Sequence, residues 1–124
     1  MESEPVILDC DHILTYAGGD YGQLVLLCAN FFHELPLHTQ RVEAALKQPE
    51  TMPAECAIQH LANFLMVFGS GALARTLEAL SAALRNGRRR QVRSEWLRLQ
   101  RQLAILVPQV QRLMLEVATP RGVQ

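Results

Sequence analysis

Apolar positions recur along most of the chain at spacings of three and four residues, the period of one face of an α-helix. Alternating strand-like patterns do not persist, and β-branched residues are sparse. Glycine and proline divide the periodic stretches into separate segments. The pattern therefore predicts an all-α protein with one short N-terminal helix and four longer helices.

Capping residues predict where the first two helices begin. Asp9 or Asp11 caps a short first helix through about Tyr16, since a carboxylate at a helix N-terminus accepts backbone N–H bonds. Gly18-Gly19 ends that helix, because glycine favours the backbone conformation that closes a helix. Asp20 is a second N-cap of the same kind.

Breakers delimit the middle of the chain. The second helix should run to about Lys47, and we expect Pro36 to kink it, because proline removes a backbone donor and clashes with the preceding turn. Thr51 is the predicted N-cap of the third helix, with Pro53 in its first turn. The segment Gly69-Ser70-Gly71 is a predicted corner between the third and fourth helices.

The last two helices meet at Asn86-Gly87, a typical C-terminal signal for the fourth helix. The fifth should begin at about Arg88 or Arg90, bend at Pro108 and end at about Val117. We expect the residues of the apolar stripes to face the core: Leu24, Leu27, Phe31, Leu35, Val42, Leu46, Ile58, Leu61, Leu65, Phe68, Leu73, Leu77, Leu80, Leu84, Val92, Trp96, Leu99, Leu103, Leu106, Val110, Leu113 and Val117.

The length of 124 residues fits one domain, 1–124, with an ordered bundle over about 8–117 and a tail over 118–124. Four helices of similar length joined by short connections favour an antiparallel up-down four-helix bundle. No apolar run reaches the roughly 20 residues of a membrane span. The acidic N-terminus also lacks the features of a signal peptide, so the sequence predicts a cytoplasmic protein that does not bind a membrane.

Net charge and the positions of the arginines, cysteines and histidines limit which kinds of binding site the sequence favours. Twelve basic and twelve acidic residues balance, which argues against nucleic-acid binding. Arginines nevertheless cluster over Arg85–Arg93, which suggests either a solvated loop end or a docking site for an acidic partner or for phosphate-bearing chains. The three cysteines are odd in number and widely spaced, as reduced thiols are. Cys56 and His60 are four residues apart, but two ligands do not make a metal site. We predict no metal and no cofactor.

The segment 8–46, LDCDHILTYAGGDYGQLVLLCANFFHELPLHTQRVEAAL, resembles the opening of a histidine-phosphotransfer (HPt) domain. The shared features are a short helix, the Gly18-Gly19-Asp20 turn and a long apolar-faced helix with proline at position 36. The segment 58–84, IQHLANFLMVFGSGALARTLEALSAAL, resembles the helix that carries the phosphorylated histidine in that family, and the helix after it. The resemblance extends over about 8–117 and implies a four-helix bundle with a short extra N-terminal helix.

The alignment with the family depends on the leucine spacing. Matching Phe68-Gly69 to the family's apolar-Gly pair also places Leu61, Leu73 and Leu80 on core leucine positions of the family. Glutamine then occupies the position of the phosphorylated histidine, and all four characteristic site residues are replaced. Gln59, Ala62, Asn63 and Phe64 stand where the family has histidine, lysine, glycine and serine.

His60 is the fallback phosphate acceptor. One residue along a helix rotates a side chain by about 100°, so we do not expect His60 to replace Gln59 geometrically. Shifting the alignment to recruit His60 would place Ala74 and Ser81 on core leucine positions. Because glutamine lacks a nucleophilic imidazole nitrogen, the sequence predicts a site that carries no phosphate.

The third helix has two predicted flanks. Phe64 and Val67 lie beside His60 on one flank, and the other is uncharged and partly apolar. Such exposed patches usually contact another protein, although packing against the second helix is the alternative. The predicted partner-binding residues are Gln59, Ala62, Asn63, Phe64 and Met66.

The resemblance implies a module of two-component phosphorelay signalling. We expect a pseudo-HPt domain that binds a response-regulator receiver or a hybrid histidine kinase, with homodimerisation a further option and no enzymatic turnover. One alternative is an active phosphotransfer protein that uses His60. Another is a helical dimerisation or scaffold module unrelated to phosphorelay, in which only the bundle pattern is shared.

Overall fold

The computed structural model describes residues 7–69 and 71–118. Over these residues the protein is all-α, as predicted, with no strand and with one isolated β-bridge. The five helices described are α1 Cys10–Tyr16, α2 Tyr21–Leu46, α3 Met52–Leu65, α4 Gly71–Arg85 and α5 Arg89–Ala118. Of the predicted tail, only Ala118 is described, as the last residue of α5; 119–124 and Ser70 of the predicted corner lie outside the described residues.

The two predicted aspartate caps are confirmed. Asp9 has extended backbone angles and its Oδ1 accepts a hydrogen bond from the His12 N–H at 3.0 Å. The Asp20 carboxylate accepts from the N–H groups of Gly22 and Gln23 at 2.8 and 3.2 Å. Between them, Gly18 and Gly19 have φ of 67° and 76°, the left-handed conformation that lets the chain leave one helix and enter the next.

Thr51 occupies the predicted N-cap position of α3 but does not make the side-chain hydrogen bond expected of a cap. Thr51 precedes α3, and its carbonyl accepts from the Glu55 N–H at 2.9 Å, but its side chain makes no capping hydrogen bond. A capping hydroxyl requires extended backbone angles, whereas Thr51 already has helical angles of −87° and −24°. Pro53 lies in the first turn as predicted.

Each long helix packs against the next along the chain, and α5 packs back against α2. α1 contacts α2. Helix α2 continues through Pro36, and α5 continues through Pro108. No helix among the described residues is both long enough and apolar enough to cross a bilayer.

The core lies between these helices and contains most of the predicted apolar stripes. Phe31, Leu61, Leu80, Leu99 and Leu106 are completely buried. Five of the predicted core residues are only half-buried, because they lie at helix ends or at the edge of a stripe: Leu27, Leu46, Val92, Leu113 and Val117. Buried residues that the stripes did not include are Ile7, Leu8, Ile13, Cys28, Ala45, Ala54, Thr76, Ala83 and Glu95.

The segment before α1 fixes the turn that follows α3. Leu8 forms the isolated bridge with Gly69, and the Asp9 N–H donates to the Phe68 carbonyl at 3.0 Å. The N–H groups of Ile7 and Leu8 donate to Gln109 Oε1 on α5 at 3.0 and 2.9 Å. A hydrogen-bonded segment therefore ties the C-terminal end of α3 to α5.

Candidate functional site

The buried stripe of α3 fixes the direction of its other side chains. Ile58, Leu61 and Leu65 are at most 1% exposed and all face the core. Residues 59 and 60, which follow Ile58, are both exposed, but successive side chains on a helix differ in direction by about 100°. The helix therefore exposes two flanks with different chemistry, one on each side of the stripe.

Gln59 occupies the outward position that the family alignment assigns to the phosphorylated histidine. It is exposed, and its Nε2 donates a hydrogen bond to Oδ1 of Asn63 at 3.1 Å, one turn along α3. The lone pair of an amide nitrogen is delocalised into the carbonyl, so this side chain is a hydrogen-bonding group and not a nucleophile. The site offers amide donors and acceptors where a phosphate carrier needs an imidazole.

A groove of about 610 Å³ runs between α3 and α4 on this flank. Gln59, Ala62 and Met66 line it from α3, and apolar side chains such as Leu65 and Leu73 form its floor. We call it the α3–α4 groove. Three of the five predicted partner-binding residues are therefore brought to one concave surface.

The chemistry of the α3–α4 groove suits an apolar side chain with a polar rim. Met66 is 66% exposed and stands at the edge of the groove, where its flexible thioether can adapt to a partner. Glu78, Ser81 and Arg85 line the groove from α4 and supply one carboxylate, one hydroxyl and one guanidinium. Asn63 is exposed beside the groove and does not line it.

Phe64, another of the predicted partner-binding residues, does not line this groove. It is half-buried, and its ring stacks on that of His38 with centroids 4.8 Å apart. It also contacts the rings of Phe31 and Phe68, at 5.9 and 5.8 Å. Its position on α3 points toward α2, so its apolar surface is covered within the chain.

His60 lies on the same flank as Phe64 and does not line the α3–α4 groove. It is exposed, and it lies near enough to His38 of α2 to contribute to the lowered pKa of that imidazole. The imidazole is therefore accessible, but it is directed away from the surface that carries Gln59 and Met66. A protein seated in the α3–α4 groove would not face it.

His38 is a polar member of the aromatic contact between α2 and α3. Burial lowers its pKa, Arg41 and His60 lower it further, and Glu34 opposes them. Its Nδ1 is buried without a hydrogen-bond partner among the described residues. The neutral imidazole is thus the form that this contact favours.

Among the described residues, the cysteines form no disulfide and the potential metal ligands do not cluster into a site. Cys10 and Cys56 are exposed, Cys28 is buried, and all three are free. Burial raises the pKa of the Cys28 thiol to about 11. No group of three or more histidine, cysteine, aspartate or glutamate side chains that could hold a metal occurs within 7–69 and 71–118.

Comparison with protein-family models, with curated proteins and with solved structures found no significant match. The geometry of α3 and its neighbours is therefore what points to a function.

Sequence reasoning missed the α4 side of the groove and the His38–Phe64 stack. The α4 residues carry a readable signal, because Ala74, Glu78, Ser81 and Arg85 follow the same helical spacing as the leucine stripe, shifted by one residue. The stack has no comparable signal, since it depends on the distance between two helices.

Proposed function

We propose that the protein is a pseudo-HPt module of two-component signalling, which binds a receiver domain or a hybrid histidine kinase in the cytoplasm and carries no phosphate. In this proposal α2 to α5 form an antiparallel up-down four-helix bundle, with α1 as the short extra helix. The contacts of each long helix with the next, and of α5 with α2, support that arrangement. So do the short connections 47–51, 66–70 and 86–88.

One observation carries the proposal. The outward side chain at the middle of α3 is the Gln59 amide, and its nitrogen is engaged by Asn63. In an active HPt domain, the imidazole at this point attacks the phosphorus of an aspartyl phosphate. The amide has no such nucleophile, so the module can meet a receiver at this surface without accepting its phosphoryl group.

The α3–α4 groove supports binding at the same flank. By resemblance, a receiver reads the histidine, lysine and small residues of this flank in an HPt domain. Here Ala62 stands where the family has lysine, and Met66 adds exposed apolar area. Burial of apolar surface, rather than charge pairing, then stabilises the contact with the partner. The groove receives a side chain from the partner, and the Gln59–Asn63 pair lies at its edge.

Active phosphotransfer through His60 is the second candidate, favoured by the exposure of that imidazole. It requires a receiver to dock on the α2 side of α3, where Phe64 is already covered by His38. A helical dimerisation module is the third candidate, since the same groove could receive a second copy of the chain. Sedimentation of the isolated protein over a range of concentrations distinguishes it from the first two.

The direct test is titration of the protein with purified receiver domains encoded by the same genome. Met66→Asp should weaken binding at least about tenfold, because a charge at the groove edge must be desolvated on association. Leu26→Asp is the matched control, since Leu26 is 62% exposed on α2, outside the groove. We expect the control to bind as the unmodified protein does.

Equal affinities for the two variants would reject the α3–α4 groove as the docking surface. Absence of binding to every receiver, together with concentration-dependent dimerisation that Met66→Asp abolishes, would replace the proposal with the dimerisation module. Both variants change an exposed side chain, so their thermal unfolding should differ little from that of the unmodified protein.

A further inference from the structure

The junction between α4 and α5 carries a dense positive charge. Five exposed arginines lie within nine residues, and we call them the basic end: Arg85, Arg88, Arg89, Arg90 and Arg93. The ion pairs among the described residues are His33–Glu34 and Arg98–Glu95, and neither involves the basic end. These guanidinium groups therefore lack a carboxylate partner within the part of the chain that the structure describes.

Arg88, Arg89 and Arg90 are placed unfavourably at the start of α5, whereas Arg85 lies in the last turn of α4, where a cation is favourable. α5 begins at Arg89 and has no acidic residue in its first turn. Arg88 supplies the carbonyl that accepts from the Val92 N–H at 2.9 Å. The N-terminal end of a helix has a partial positive charge, so cations there repel it and each other. An unfavourable charge that no other group of the protein compensates is typical of a residue that binds a partner.

An apolar recess adjoins the basic end. A groove of about 880 Å³, the end groove, lies between the α2–α3 connection and the start of α5. Leu46, Leu84 and Val92 contribute apolar surface to it, and Arg89 and Arg93 line it from α5. On its other side stand Lys47, Glu43 and Glu50.

We propose that the basic end and the end groove together bind an acidic polypeptide segment of a partner protein. Carboxylates of the segment pair with Arg89 and Arg93, since guanidinium groups accept carboxylates in bidentate geometry. An apolar side chain of the segment enters the end groove. This surface is separate from Gln59 and Met66, so the inference does not rest on the proposed function.

The neighbouring charges favour a polypeptide over a polyphosphate or a membrane. A peptide can place its carboxylates beside the arginines and leave Glu43 and Glu50 facing neutral residues. A nucleic-acid backbone or an anionic bilayer would bring charge to both sides of the end groove and be repelled by those glutamates. Trp96 lines the groove but is only 8% exposed, so it offers no ring face on which bases can stack.

The test measures binding of the full chain to a fluorescein-labelled peptide of repeated Glu-Glu-Leu triplets, with a Gln-Gln-Leu peptide as the control. The double variant Arg89→Glu, Arg93→Glu should weaken binding of the acidic peptide at least about tenfold. The matched control is Arg75→Glu, Arg101→Glu, which makes the same change in net charge at two exposed arginines outside the end groove. Its binding should change less than about twofold.

Thermal unfolding separates a binding role from a structural one. Because Glu at position 89 interacts favourably with the helix dipole, the Arg89→Glu, Arg93→Glu variant should unfold at the same or a higher temperature. The proposal is overturned if that variant loses stability together with binding, or if the control pair loses binding equally. Tighter binding of duplex DNA or of phosphatidylserine vesicles than of the acidic peptide would also overturn it.

Discussion

The two flanks of α3 differ in what covers them. On the α2 side, Phe64 is stacked on His38 and in contact with Phe31, so its apolar surface is satisfied within the chain. On the α4 side, Ala62 and Met66 line an open groove, and Met66 remains 66% exposed. Both flanks are largely uncharged in sequence, yet among these apolar side chains only that of Met66 is mostly exposed.

The proposed function depends on this difference between the two flanks. Gln59, which the resemblance places at the position of the phosphorylated histidine, lies on the open flank, whereas His60 is an exposed imidazole on the flank of Phe64. An open surface without its nucleophile fits binding without chemistry. Under the proposed function His60, although exposed, takes no part in the contact.

The largest effect is expected on the covered flank. Phe64→Ala removes a half-buried ring from three aromatic contacts and should lower the free energy of unfolding by about 2–3 kcal/mol. Met66→Ala, on the open flank, should change it by less than about 0.5 kcal/mol. Urea denaturation of the two variants measures both. Equal losses of unfolding free energy would mean that Met66 is packed as closely as Phe64, which would contradict the difference between the two flanks.

A smaller effect is expected from pH, again on the covered flank. Burial lowers the pKa of His38 from its ordinary value of 6.5, so the unfolded chain binds this proton at a higher pH than the folded protein does. As the pH falls below 6.5, protonation favours the unfolded state and stability decreases; above that pH the group has no effect. The nearby Glu34 opposes this shift, while Arg41 and His60 reinforce it.

The variant His38→Leu isolates this contribution. The unmodified protein should lose more stability than His38→Leu when the pH is lowered from about 7.5 to about 5. Urea denaturation at the two pH values gives the difference. If both proteins lose the same stability, the imidazole is not held in its neutral form by the contact with Phe64.

The sequence predicted the helices well wherever a local chemical signal existed. Asp9 and Asp20 cap α1 and α2 as expected, and the stripe Ile58, Leu61 and Leu65 is buried. These features depend on residues within one or two turns of each other, so spacing alone reveals them. The side-chain cap predicted at Thr51 does not form, because threonine is a suitable residue type for a cap but the backbone angles at Thr51 are helical.

The site could be predicted only in part. The outward position of Gln59 follows from the leucine spacing on the same helix. The burial of Phe64 does not, because it depends on how closely α2 approaches α3 and on where His38 lies along α2. The α4 wall of the groove likewise depends on the packing of two helices. The hydrophobic pattern of one helix therefore could not predict the contacts between helices.

The proposed function requires that the protein accepts no phosphoryl group, on either Gln59 or His60, and phosphotransfer from a receiver tests this most directly. Receivers charged with radiolabelled acetyl phosphate are mixed with the unmodified protein and with Gln59→His, which places an imidazole on the open flank. We expect no acid-labile label on the unmodified chain, even with a receiver that binds it. Label on the unmodified chain that His60→Gln abolishes would contradict the claim.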